Sequence, residues 1–314
     1  MSDEKSKQQL ELEAAMQEML GSDAIQQAQA MAMEQLQSMD MDAMMQQAMG
    51  SFDMNSFQED MTNLIGELTE GIEVLSLPQL EEAYQKLEAS LPDCVSTEKT
   101  FTEESLRTYE ILLSGYLSFM NDSAMNTLAV ESDKSYAGQV LEMLSESWGV
   151  EGREDLFGML EYLLNEGHNA KWQACLSVAT PEELFDDEMD EEDRHSMILC
   201  WQFANHFKDK LPETMMLGWD FGRAAMLIRW GFYTGMITEE ESWSILDQIA
   251  EAMQDCFSSW KQFGLSYLFG SLFWMYPNDP EESTSARFYE GQEVLEGLLT
   301  NDGAWAAHPW IIAE

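Results

Sequence analysis

The sequence WDFGRAAMLIRWGFYTGMITEEESW, residues 219–243, predicts one long buried helix and the start of a second. Before Gly235 its only charged residues are Asp220, Arg223 and Arg229, and most of the others are apolar, small or aromatic. A glycine after such a run favours a left-handed C-terminal cap. Two of the six arginines of the chain lie here. A buried guanidinium without a partner costs several kcal/mol, so each arginine needs acceptors.

The segments after this helix predict two more long helices. Thr238 and Glu241 have the T-x-x-E spacing of a capping box, which starts the next helix. The last long helix has the sequence SSWKQFGLSYLFGSLFWMY. Helical spacing puts one aromatic, core-facing set on it, formed by Trp260, Phe263, Tyr267, Gly270 and Trp274.

Upstream segments have the same helical character. The stretch REDLFGMLEYLLNEGH is amphipathic and stops at Gly167, and Thr180 with Pro181 predicts the start of a further helix. Residue 102 begins another, TEESLRTYEILLSGYLSFM. Since no stretch alternates with a period of two between turn signals, the fold class is predicted to be all-α, a compact multi-helix domain.

Composition divides the chain into three parts. Residues 1–70 form a low-complexity, Met/Gln-rich tail, predicted to be disordered or loosely helical. Residues 71–100 contain a linker helix between Pro78 and Pro92, and residues 101–314 form the all-α domain. All ten tryptophans lie at or after residue 148, so the core belongs to the third part.

The tail carries a stripe of methionines at helical spacing, which would suit an adaptable contact with an unknown protein partner. Its Met-x-Met pairs, at residues 31 and 33 and at 39 and 41, make copper(I) chemically possible. With no Cys or His beside them, we expect no metal there and no cofactor.

The charge balance limits the classes of partner. The chain has 15 basic and 59 acidic residues, a net charge of −44, so nucleic acid and anionic membranes are expected to be repelled. Its longest nearly uncharged run, residues 262–276, is shorter than the ~20 residues of a membrane helix. No secretory signal is visible, and the four separate cysteines, without C-x-x-C spacing, suit a cytoplasmic protein.

The combined pattern of residues 219–243 and of SSWKQFGLSYLFGSLFW resembles the bacterial domain of unknown function 1266 family. The upstream SWGVEGREDLFGMLEYLLNEGH is similar to the Trp-Gly and Gly-His segments of that family. The resemblance covers about residues 105–312, including the closing HPW, and leaves the tail outside. It implies a bacterial cytoplasmic protein and carries no established activity.

Asp220 and Arg223 are spaced i, i+3, so they are predicted to pair on one helix. Arg229 lies about half a turn away from Asp220 around the helix, so its partner is predicted to be Glu241 or Asp247 of the following helix. The two arginines form either structural ion pairs or an anion-binding pocket. Arg229, with the less certain partner, is the better candidate for a ligand contact.

Other polar motifs are less specific. The acidic run EELFDDEMDEED has no calcium-loop spacing and is expected to be solvated. Glu192 and His195 form one E-x-x-H, but a di-iron site needs a second. His168, after Gly167, is expected to cap a helix C-terminus.

Two functional hypotheses follow, and the first is preferred because no catalytic constellation is visible. The chain is a module that binds a protein or a small anion, or it is an enzyme with a site around Arg223, Arg229, Glu241 and Tyr267. The candidate binding residues are Asp220, Arg223, Arg229, Trp230, Glu241, Trp243 and Tyr267.

Overall fold

The computed structural model describes residues 73–186, 188–210 and 216–312. These residues form twelve α-helices and one 3-10 turn at Pro181–Leu184. The helices are α1 (Leu77–Ser90), α2 (Glu103–Leu112), α3 (Gly115–Met120), α4 (Ala137–Trp148), α5 (Arg153–Asn165), α6 (Gly167–Ser177), α7 (Glu191–Phe207), α8 (Leu217–Thr234), α9 (Glu239–Cys256), α10 (Trp260–Met275), α11 (Glu282–Leu299) and α12 (Ala304–Ala307).

The all-α prediction is confirmed. In the described ranges the only β-type pairing is an isolated parallel bridge between Val95 and Trp310. Two backbone hydrogen bonds hold it, from the N–H of Ser96 to the carbonyl of Trp310 and from the N–H of Trp310 to the carbonyl of Cys94, both 2.8 Å. They join the segment after α1 to the end of the domain. The predicted tail, its methionine stripe and its copper pairs lie outside the described residues.

Helix α8 is the centre of the domain. Most of its residues are buried, and it packs against α3, α4, α5, α6, α9 and α10. Glycines let α8 and α10 approach closely: a Cβ on Gly222 would lie 2.7 Å from the Tyr267 ring, and one on Gly270 would lie 2.2 Å from Cβ of Trp219. Because any larger side chain would push the two helices apart, these glycines set the distance between them.

The predicted helix ends around α8 are confirmed. Gly235 has a φ of 85°, the left-handed conformation expected of a glycine C-cap. The Thr238 hydroxyl accepts the N–H of Glu241, and the Glu241 carboxylate accepts the N–H of Thr238, which completes the capping box. The helix predicted after Thr180 is only one 3-10 turn long. Its capping box forms, but the next helix, α7, begins only at Glu191, with Asp190 as its N-cap.

The aromatic core lies where α10 meets the C-terminal segment. Trp260 stacks on Trp305 with ring centroids 5.1 Å apart and planes within 2°, and the edge of Trp310 approaches Trp260 at 4.7 Å. The prediction that Trp274 belongs to this core face is wrong, because Trp274 is 40% exposed. It lies in the last turn of α10, where a helix has fewer neighbours to cover it, and among the described residues its only ring contact is Trp219, with centroids 6.1 Å apart.

All four cysteines are free. Cys175 and Cys200 are buried, and burial raises the pKa of Cys175 to about 12, so this thiol is inert at neutral pH. Cys94 and Cys256 are partly buried.

None of the described helices combines the length and the hydrophobicity that a bilayer crossing requires.

Candidate functional site

The predicted pair of Asp220 and Arg223 is present. The Arg223 Nη2 atom donates to Asp220 Oδ1 at 2.9 Å, and Asp220 is fully buried. The same carboxylate also accepts two backbone N–H groups at the start of α6, from His168 at 3.0 Å and from Asn169 at 2.9 Å. Asp220 of α8 therefore caps the N-terminus of a different helix, where a negative charge is favoured.

Gly167 makes this capping possible. Its φ is +56°, and a Cβ at this position would lie 2.4 Å from Asp220 Oδ2. Any other residue would be strained in its backbone and would collide with the carboxylate. The glycine that was expected to end one helix thus also begins α6.

His168 is at the N-terminus of α6, so the prediction that it caps a helix C-terminus is wrong. Its Nδ1 atom lies 2.9 Å from Arg223 Nη2. A guanidinium can only donate, so Nδ1 accepts, and the proton of the neutral imidazole is on Nε2. Burial lowers the pKa of His168, which favours this neutral form. Because the imidazole is neutral, the contact between His168 Nδ1 and Asp220 Oδ1, at 3.4 Å, is not an ion pair.

Tryptophans hold the Arg223 guanidinium in place. Its central carbon is 4.3 Å from the Trp219 ring centroid and 5.8 Å from that of Trp148, and its Nε donates to the Trp219 carbonyl at 3.3 Å. The remaining nitrogen, Nη1, makes no hydrogen bond to any described residue, and it is not sealed from solvent. Arg223 therefore keeps one donor edge available.

Two further donors in the same cluster have no acceptor. The indole Nε1 of Trp219 and the hydroxyl of Tyr267 are buried without a hydrogen-bond partner among the described residues, and their rings are 5.0 Å apart. Buried polar groups without partners are rare and costly in folded proteins. We define the Arg223 cluster as His168, Trp219, Asp220, Arg223 and Tyr267.

Arg229 is bound in a different way from its prediction. No carboxylate of a described residue contacts it, and the predicted partners Glu241 and Asp247 pair with Arg153 and Arg107. All five of its N–H groups face protein oxygens, which are the Ser114 and Ser118 hydroxyls and the Ala124, Thr127 and Leu128 carbonyls. Burial lowers its pKa to about 10, so the guanidinium remains charged at neutral pH. Helical geometry on α8 could not show these partners, because the acceptors belong to α3 and its N-cap and to the loop of residues 121–136.

Three other candidate residues are dispersed. Glu241 forms a surface ion pair with Arg153, whose Nη2 lies 2.6 Å from Glu241 Oε1, and this hydrogen bond together with Thr238 lowers the pKa of Glu241 to about 2. Trp243 packs under the Arg107 guanidinium at 4.7 Å. Trp230 is buried, with its ring 5.9 Å from that of Trp148. Of the four residues of the enzyme hypothesis, only Arg223 and Tyr267 lie in one cluster.

The sequence did not single out His168, Asn169, Trp148 and Trp219 as site residues. The only visible signal was that Gly-His and Trp-Gly are parts of the family-like pattern. Within the described ranges, no three His, Cys, Asp or Glu side chains converge as metal ligands would. His206 and Lys210 instead contact Glu81 on α1, at 2.9 Å and 2.6 Å, and help to hold α7.

Asp247 belongs to a second charged group, between α2 and α9, in which only Glu110 is buried. The Arg107 Nη1 atom bridges Glu110 Oε2 at 2.7 Å and Asp247 Oδ1 at 2.9 Å. Glu110 is completely buried. Burial raises its pKa to about 8, assisted by a hydrogen bond to Asp247 and opposed by Arg107.

Glu110→Gln is expected to flatten the pH dependence of stability. The folded pKa of Glu110, about 8, is above its ordinary value of 4.5, so the folded state binds the proton more tightly. The parent should therefore lose stability as the pH rises from 5 to 8, with a slope of up to about 1.4 kcal/mol per pH unit. Urea unfolding at pH 5, 6.5 and 8 measures the slope. Glu104→Gln, an exposed change on the same helix, is the control. An equal slope in parent and Glu110→Gln would contradict the pKa shift.

Comparison with known proteins places the chain in a family. Residues 143–310 match the family described as "Protein of unknown function (DUF1266)". The match begins later than the residue 105 expected from the resemblance. The uncharacterized protein YbeR of Escherichia coli K12 is 27% identical over 185 residues, 55% of this chain and 77% of that protein. The uncharacterized protein YbeU of the same strain is 28% identical over 214 residues, 62% of this chain and 89% of that protein. No solved structure matches the chain. Because the match spans more than half of its length, the chain belongs to the DUF1266 family.

Proposed function

We propose that this domain is a binding module that holds an anionic group, a carboxylate or a phosphate, at the Arg223 cluster. The observation that carries the proposal is the set of donors without acceptors: Arg223 Nη1, Trp219 Nε1 and the Tyr267 hydroxyl. Arg223 Nη1 can reach solvent, whereas the other two donors are buried, and an oxygen-rich ligand could accept from all three. Buried donors without an acceptor beside an arginine with an available nitrogen support a ligand at this place.

The remaining contacts of Arg223 fix the orientation of its side chain, as a ligand-binding arginine requires. Asp220 and His168 engage Nη2, the Trp219 carbonyl engages Nε, and the Trp219 ring packs on the guanidinium face. The side chain is thus fixed in orientation before a ligand arrives, which lowers the entropy lost on binding. A planar guanidinium edge matches the geometry of carboxylate and phosphate oxygens.

The charge of the whole protein makes this recognition short-ranged. With a net charge of −44, the chain repels anions at a distance. Inside the cluster, however, Asp220 and Arg223 compensate each other and the neutral His168 has its proton on Nε2. A fixed donor set in a low-dielectric site favours an anion only after it has come close.

The cellular setting belongs to the same proposal. The free cysteines suit a reducing compartment, and the similar proteins come from a bacterium, so we place the protein in the bacterial cytoplasm. Residues 1–70 would contact a protein partner.

Tyr267→Phe tests the proposed site. The hydroxyl has no partner in the protein, so its removal should leave the free protein equally stable or stabilise it by about 1 kcal/mol. If the hydroxyl contacts the ligand, the same change should reduce the rise in thermal midpoint that inorganic phosphate or succinate causes in the parent. Thermal unfolding with increasing concentrations of each anion measures this and separates phosphate from carboxylate recognition.

Tyr116→Phe is the matched control. Its hydroxyl is also buried without a partner, and its ring stacks on Tyr267 with centroids 4.1 Å apart, one ring further from Arg223. The control should respond to anions as the parent does. The proposal is wrong if neither anion shifts the midpoint of the parent, or if both Tyr→Phe variants respond like the parent.

A further inference from the structure

The loop of residues 121–136, between α3 and α4, is unusually long for a segment without helix or strand. Connections of this length in compact domains most often carry function. Arg229 fixes the path of the loop through its carbonyls, and the Tyr233 hydroxyl donates to the Asp133 carbonyl at 2.6 Å. Arg229 therefore stabilises the conformation of this loop and does not provide a ligand contact on α8.

The loop forms one wall of a groove of about 380 Å³. Asp122 and Glu131 line the groove from the loop, and Asp122 has a φ of 50°, a left-handed conformation that is uncommon for a residue other than glycine. Met143 of α4 and Tyr136, the last loop residue before α4, form the opposite wall, and the buried Trp230 of α8 completes the lining. The volume lies in the range of small-molecule sites.

We infer that this groove binds an organic ammonium group. Asp122 and Glu131 have no ion-pair partner among the described residues, so their charge is available to a cationic ligand. Trp230 and Tyr136 provide the aromatic surfaces that attract ammonium groups, and Met143 provides apolar contact for attached carbons. The net charge of −44 raises the local concentration of cations.

This inference is independent of the anion proposed at the Arg223 cluster. The two sites share no residue and differ in the sign of their ligand. Trp230, which the sequence indicates as a binding residue, lines this groove and is not part of the Arg223 cluster.

Isothermal titration calorimetry of the full chain with choline and with n-butylammonium tests the inference. The neutral compound 3,3-dimethylbutan-1-ol has nearly the shape of choline without its charge, so it separates cation recognition from apolar contact. We expect both cations to bind and the neutral compound to bind at least about tenfold more weakly. The cation that binds with the higher affinity shows whether the groove prefers a quaternary or a primary ammonium.

Two double variants separate the groove from the general charge of the protein. Asp122→Asn with Glu131→Gln should weaken cation binding at least about tenfold, and asparagine tolerates the left-handed backbone at residue 122. Glu142→Gln with Glu146→Gln removes the same charge from exposed positions of α4 outside the groove and should leave binding unchanged. Circular dichroism confirms that both variants fold.

Three results would overturn the inference. The first is that the parent binds neither cation, and the second is that the neutral compound binds as tightly as choline. The third is that the two double variants weaken binding equally, which would show only a counterion effect. Tyr136→Leu, at a mostly exposed position, adds a check on the aromatic contribution and should weaken choline binding several-fold.

Discussion

Arg229→Met is expected to lower the free energy of unfolding by about 3–5 kcal/mol. The substitution keeps much of the aliphatic volume but removes the donor from the loop carbonyls and one hydrogen bond from each of two buried serine hydroxyls, which keep the bond between them. Buried acceptors that lose their only partner incur the full cost of desolvation. Urea unfolding at neutral pH measures the change.

The matched control is Arg153→Met. Arg153 is a surface arginine that lies 4.7 Å from the Phe157 ring centroid and pairs with the Glu241 carboxylate, and it is half exposed. Its loss should cost less than about 1 kcal/mol, because solvent screens surface ion pairs. If Arg229→Met unfolds at the urea concentration of the parent, the guanidinium does not organise the loop, and the groove over Trp230 loses its structural basis as well.

Trp260→Ala is expected to cost about 3–5 kcal/mol, comparable to the loss of Arg229. The Trp260 indole is fully buried between Trp305 and Trp310, and its Nε1 donates to the His308 carbonyl at 2.8 Å. Alanine would leave a cavity lined by two other large indoles, which cannot easily collapse into it. The C-terminal segment would also lose part of its contact with α10, and Phe263 would keep the rest.

Trp274→Ala serves as the comparison on the same helix. Both changes remove an indole from α10, but Trp274 is 40% exposed and has one ring contact. We expect a loss of about 1 kcal/mol, which follows from the smaller buried area. Equal losses for the two variants in chemical denaturation would show that burial on α10 does not determine the energetics of its aromatic residues.

Local pattern was sufficient for the helices around α8. The glycine after Thr234 and the Thr238–Glu241 box each depend on residues within one turn of each other, and both have the predicted geometry. The same holds for the Asp220–Arg223 pair, which is spaced i, i+3 on one helix. Interactions of this range are encoded in consecutive residues, so spacing predicts them.

The wrong side-chain predictions concern contacts between distant residues, whereas the helix predicted after Thr180 is only one turn long although its start signal is local. Trp274 and Trp260 have the same spacing pattern, and only the end of α10 and its neighbours make one exposed and the other buried. His168 follows a glycine, a pattern that also ends helices, and only the Asp220 carboxylate from α8 makes this glycine the start of α6.

The two arginines of α8 show the division most clearly. By itself the sequence determined that α8 is a buried helix, that its two cations need acceptors and that Asp220 is one of them, because helix periodicity and the cost of a buried charge are local properties. Only the tertiary structure decided that Arg229 is saturated by hydroxyls and by backbone carbonyls about 100 residues away, while one nitrogen of Arg223 has no acceptor among the described residues. Backbone carbonyls are the same in every residue, so no pattern of side chains indicates which of them will face a guanidinium once the chain has folded.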